Sequence, residues 1–168
     1  MMKWKTYGLM AAALLVATPA SAAPTISVLN DLDFGGVAAD KSSPGEAKVV
    51  SATVVTPSGG AIVLDEPLAA TAQVQVSGLT ALTNYDIDLN GDKLSEGGGN
   101  TVALKKFVIV SVSPGTASVV KVSEGLYRLE VGANTTVTLE IGATAEISAN
   151  HADGEYSGNF DIEINESI

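Results

Sequence analysis

Cysteine is absent from this 168-residue chain, which excludes a disulfide framework, a thiolate metal site and a cysteine nucleophile together. Histidine occurs once, as His151 in the turn-like run Asn150-His151-Ala152-Asp153-Gly154. A Ser-His-Asp relay would have to rest on that one loop residue, and no G-x-S-x-G elbow accompanies it, so His151 reads as a solvated turn residue. Cations are scarce: 9 Lys and Arg stand against 19 Asp and Glu. Nucleic acid is therefore not expected as a partner, because a polyanion is held by clustered Lys and Arg that release its counterions. Lys105-Lys106 is the sole adjacent basic pair after residue 22. Aromatic residues make up 5%, too few to suggest the stacking platforms of a sugar-binding face. Helical patterning is missing as well, since no apolar i, i+3, i+4, i+7 series runs for a dozen residues.

A membrane-length apolar run is also lacking. Gly8 to Ala17 is well short of the roughly 20 residues that cross the hydrocarbon core. It follows the positive stretch Met1-Met2-Lys3-Trp4-Lys5 and leads into Thr18-Pro19-Ala20-Ser21-Ala22, whose small residues Ala20 and Ala22 suit a signal-peptidase pocket. Residues 1–22 thus read as a cleavable export signal, with the cut expected between Ala22 and Ala23. The remaining 146 residues would carry seven basic and 19 acidic side chains, a formal net charge of −12, with no transmembrane segment. That length suits one domain, residues 23–168, able to bury its own core. The expected location is periplasmic, cell-surface or extracellular.

What fills the chain from Thr25 onward is strand and turn grammar: short runs rich in Val, Ile and Thr, punctuated by Gly, Asn, Asp, Ser or Pro. Lys48 to Val55, Ala72 to Val76 and Tyr85 to Leu89 alternate in polarity, which lines one face of a pleated strand with apolar groups. Further strands are expected around 61–65, 102–112, 117–122, 126–131, 135–141, 143–149 and 156–164. Ala38 to Glu46 and Asn90 to Asn100 are polar or glycine-rich and read as loops. About ten short strands without helices predict an all-β, antiparallel two-sheet sandwich, with a closed barrel as the alternative.

Two local patterns are more specific. Leu32-Asp33-Phe34-Gly35 near the start, and Gly154-Glu155-Tyr156-Ser157-Gly158-Asn159-Phe160-Asp161-Ile162-Glu163-Ile164 near the end, together resemble the DUF4402 family of exported bacterial domains. Val74-Gln75-Val76-Ser77-Gly78, Asn84 to Leu89 and Leu129 to Ala133 fall in the order that family leads one to expect. Its members are similar in layout to spore-coat-U-like and other pilin-type subunits. The resemblance therefore implies an immunoglobulin-like, pilin-like sandwich whose partners are copies of itself or a periplasmic chaperone and usher. In such subunits a neighbour's extended N-terminal segment adds a strand through main-chain hydrogen bonds, and alternate side chains fill a groove. Here the donor would be Ala23 to Asp31, with Ile26 and Val28 pointing one way, although it is short for the task. Tyr156, Phe160, Ile162 and Ile164 share one face of the last strand and would form the complementary contact. They equally suit an ordinary buried strand of a self-sufficient domain.

Other chemistry finds less in the sequence. Asp86-Ile87-Asp88-Leu89-Asn90-Gly91-Asp92 begins like a calcium loop, yet Gly97 stands where the twelfth-position acid belongs. Tyr85, Ile87 and Leu89 alternating with Asp86 and Asp88 read instead as a half-buried strand with an acidic face. Asn134-Thr135-Thr136 matches a glycosylation sequon. The expectation is an exported structural or adhesive protein, not an enzyme and without a cofactor; the alternative is a monomeric secreted domain that binds glycan or calcium.

Overall fold

A computed structural model describes residues 23–40, 42–51, 54–64, 69–91, 93–95, 101–149 and 159–167. The leader read over residues 1–22 lies outside the described residues, as do His151 and Tyr156. Among the described residues the regular structure is all strand. The strands are β1 (Thr25–Asn30), β2 (Val37–Ala39), β3 (Gly45–Ser51), β4 (Val54–Gly59), β5 (Ala61–Val63), β6 (Ala72–Ser77) and β7 (Asn84–Gly91). They continue as β8 (Lys93–Ser95), β9 (Thr101–Ser113), β10 (Ser118–Lys121), β11 (Leu126–Glu130), β12 (Thr136–Ile147) and β13 (Phe160–Glu166).

Alternation in the sequence becomes a buried and an outward face. In β7, Tyr85, Ile87 and Leu89 are buried, and Asp86 and Asp88 point out between them. In β6, Ala72, Val74 and Val76 are buried and Gln73 is exposed. The long central strand β12 organises the larger sheet. Along one edge it pairs first with β6, from Thr136 opposite Ser77 to Ile141 opposite Ala72. It then pairs with β3, from Ala143 opposite Val49 to Ile147 opposite Gly45. Its other edge is taken by β9. Outside these lie β1 on β6, β4 on β3 and β8 on β9. A second sheet has the order β10-β11-β7-β13, and β2 pairs with β5. Every pairing is antiparallel.

The two main sheets share one core. Val74, Val76, Leu139 and Ile141 of the larger sheet and Tyr85, Ile87 and Leu129 of the smaller one belong to the same buried cluster. Each such side chain contributes about 1.5–3 kcal/mol by leaving water. The two buried tyrosines keep their polar ends satisfied: the Tyr127 hydroxyl donates to the Phe107 carbonyl at 2.9 Å, and the Tyr85 oxygen accepts from the Thr80 amide at 2.8 Å. Phe107 and Phe160 pack their rings with centroids 5.3 Å apart, joining the sheets through β9 and β13. The expected antiparallel sandwich is what forms.

β9 departs from simple alternation. Its register against β12 slips twice: Lys105 lies opposite Thr144 but Val108 opposite Gly142, and Ile109 lies opposite Ile141 but Ser111 opposite Glu140. Each slip inserts one extra residue into β9, a bulge. Val102 and Leu104 therefore share the inward side with Phe107 and Ile109, not with Lys106 and Val108, and Val112 returns to the starting parity. Lys106 takes a left-handed backbone, φ 50°, at the first bulge.

Element boundaries differ from expectation in four places. The run expected as one strand over 48–55 contributes to two paired strands, β3 and β4. The runs 135–141 and 143–149 merge into β12, because Gly142 continues the strand instead of ending it. β2 overlaps the start of the stretch 38–46 read as a loop, and β8 lies within the stretch 90–100. Both are three-residue strands: β2 pairs with the distant β5, whereas β8 pairs with the start of β9 just downstream, Ser95 opposite Thr101.

Candidate functional site

The sequence nominated two surfaces for contact between subunits, and the structure places them on different sheets. Ile26 and Val28 sit in β1, opposite Val76 and Val74 of β6. Directly opposed residues in an antiparallel pair share a face, so these two side chains point to the same side as the buried valines. They are nonetheless exposed, 36% for Ile26 and 62% for Val28, and all six residues of β1 are exposed. β1 is thus an edge strand held mainly by its backbone ladder, with its apolar row outside the core.

Phe160, Ile162 and Ile164 lie in β13, paired only to β7. They are half-buried and packed against the core, and the far edge of β13 carries no strand among the described residues. The structure therefore brings Phe160, Ile162 and Ile164 together on one face as expected. It does not bring Ile26 or Val28 into paired register with them.

Asp86 and Asp88 stand on the outward face of β7. Asp86 accepts from Arg128 Nε at 3.0 Å, and Asp88 accepts from the Asn90 amide at 2.9 Å. Asp92 and Glu96 lie outside the described residues. Among the described residues no three His, Asp or Glu side chains are arranged to hold a metal ion, and no helix is long and apolar enough to cross a membrane. In the sequon, the Asn134 amide donates to the Val131 carbonyl at 2.6 Å and so braces the turn between β11 and β12.

Two adjoining depressions flank the first bulge of β9, of about 300 and about 290 Å³, and share Lys106, Phe107 and Glu124 in their walls. Sequence reasoning singled out Lys105-Lys106 only as an adjacent pair. The fold gathers Lys48 from β3 and Lys121 from β10 around the second depression with Lys106. Opposite charges accompany them: Lys105 pairs with Glu146 at 2.6 Å, Lys106 with Glu46 at 3.1 Å and Lys121 with Glu124 at 2.8 Å. Because Lys48, Lys106 and Lys121 are far apart along the chain, no spacing in the sequence announces this cluster.

No curated protein and no solved structure matches the chain. The description of a domain of unknown function, DUF4402, matches residues 25–165 and so takes in every paired strand but the last residue of β13. The chain belongs to the DUF4402 family.

Proposed function

We propose that this protein is a non-enzymatic, exported structural or adhesive subunit in which β1 of one copy can pair with β6 of the next. The observation that carries the reading is β1 itself, an N-proximal edge strand with six exposed residues and an apolar row, Ile26 and Val28, outside the core. Such a strand contributes main-chain hydrogen bonds and little burial, which is the currency of strand addition at a sheet edge. Exchanging it between copies conserves those bonds and leaves each core intact. The export signal expected over residues 1–22 supports the same reading, since it would deliver the chain to where surface assemblies form.

The test compares the chain beginning at Ala23 with one beginning at Leu32, using size-exclusion chromatography with light scattering. A concentration-dependent ladder from the first and monomers from the second are expected. A cross-link identifies the contact: Ser27 lies opposite Gln75, and the chain has no cysteine of its own, so Ser27→Cys with Gln75→Cys reports pairing directly. Exchange gives a covalent ladder on a non-reducing gel. Monomeric cross-linked chain alone, with both forms monomeric in solution, overturns the reading and leaves a secreted glycan- or calcium-binding domain as the alternative.

A further inference from the structure

The second depression beside β9 has a donor surplus at its floor. Thr144 pairs across the sheet with Lys48 of β3 on one side and Lys105 of β9 on the other. Its neighbours Ala143 and Ala145 belong to the core, so Thr144 faces the opposite side, towards the depression that it lines with Lys48. The Lys106–Glu46 ion pair joins β9 to β3 and therefore passes over β12, which lies between them. Thr144 is only 1% exposed although it stands on the outward face. The Thr144 hydroxyl makes no hydrogen bond to a described residue, and the Lys48 ammonium has no ion pair among them. A buried hydroxyl without a partner is costly. Two adjacent donors thus lack an acceptor among the described residues, in a chain where acids outnumber bases two to one.

We infer that this depression binds a singly charged carboxylate carried on a small hydroxylated ring, a uronic-acid unit of an acidic glycan. The carboxylate accepts from Lys48 and Thr144. Glu46 and Glu124 line the same depression and use one oxygen each on Lys106 and Lys121, so a second oxygen of each remains to accept ring hydroxyls. Those same two carboxylates disfavour a multiply charged anion such as phosphate. A volume of about 290 Å³ lies at the small end of ligand sites and suits one sugar unit.

Calorimetric titration of the chain from Ala23 with galacturonate, galactose and inorganic phosphate tests the assignment. Saturable binding of galacturonate is expected, with galactose and phosphate each weaker by about tenfold or more, the worth of one charge-assisted hydrogen bond. Thr144→Val keeps the shape and removes the hydroxyl, while Lys48→Met removes a cation that is in no ion pair among the described residues. Each should weaken galacturonate by about tenfold, with the melting temperature preserved in Lys48→Met and preserved or raised in Thr144→Val. Absence of saturable galacturonate binding, undiminished binding in both variants, or equal binding of phosphate overturns the inference. None of these outcomes depends on whether β1 exchanges.

Discussion

Removing residues 23–31 deletes β1, and the structure sets the size of the effect. The pairing with β6 covers five register positions, which in an antiparallel ladder means about five main-chain hydrogen bonds. At a net 0.5–1.5 kcal/mol each they contribute about 2.5–7.5 kcal/mol. Against this, fixing the backbone of six residues costs about 6–12 kcal/mol in conformational entropy. Side-chain burial adds little, because all six residues are exposed. Even the largest ladder contribution exceeds the smallest ordering cost by only about 1.5 kcal/mol, so the truncated chain should fold and lose no more than about 1–2 kcal/mol of stability. With roughly 2–4 °C of melting temperature per kcal/mol for a domain of this size, the shift should stay within about 8 °C, measured by circular dichroism on monomeric samples. A loss much beyond that, or a truncated chain that does not fold, would falsify the account of β1 as a strand held by its ladder alone.

Three further perturbations probe the core. Ile87→Ala removes a fully buried side chain at the centre of the smaller sheet and should cost about 2–5 kcal/mol in urea unfolding; a change under about half a kcal/mol would contradict its placement. Gly142→Ala puts a methyl group against the Val49 carbonyl oxygen and within 3.4 Å of Val108 Cγ1, so it should cost more than a typical strand Gly→Ala and lower expression of folded protein; normal melting would show that β3 does not approach β12 there. Burial raises the phenol pKa of Tyr127, with the Lys121 charge opposing it. Its neutral form is thus favoured in the folded state, and that stability is present below the ordinary phenol range and lost as pH rises through it. Unfolding free energy should fall above about pH 10, and Tyr127→Phe should flatten that fall while costing about 1–3 kcal/mol at neutral pH through the orphaned Phe107 carbonyl; an unchanged alkaline slope in the variant would refute the assignment.

The sandwich was legible because most strands announce themselves locally. Tyr85, Ile87 and Leu89 between Asp86 and Asp88 could form little other than a half-buried strand, and the structure buries those three side chains. Failures came where local pattern and tertiary partner disagree. Val49-Val50-Ser51-Ala52-Thr53-Val54-Val55 is uniformly β-prone, so nothing local divides β3 from β4. Gly142 looks like punctuation, yet it sits where β12 leaves β6 for β3, and the close approach of Val49 is why glycine stands there. The lysine-lined depression was not legible at all, because β3, β9, β10 and β12 supply its walls from positions nearly a hundred residues apart. The contact residues of β1 and β13 were legible as alternating rows, but their assignment to separate sheets depends on pairings that alternation does not encode.

The two bulges of β9 behave like a frameshift and its suppressor. The first moves the inward parity from even to odd residues so that Phe107 can meet Phe160, and the second restores it for Val112. A deletion in this strand should therefore be tolerated at either bulge, where the extra residue lies, and not in the paired stretches outside them. Losing Lys106 alone would remove the first bulge and leave Phe107 and Ile109 inward, with Val108 still opposite Gly142. Losing Lys106 and Val110 together would return the whole strand to an uninterrupted alternation, at the expense of the lysine that spans β12.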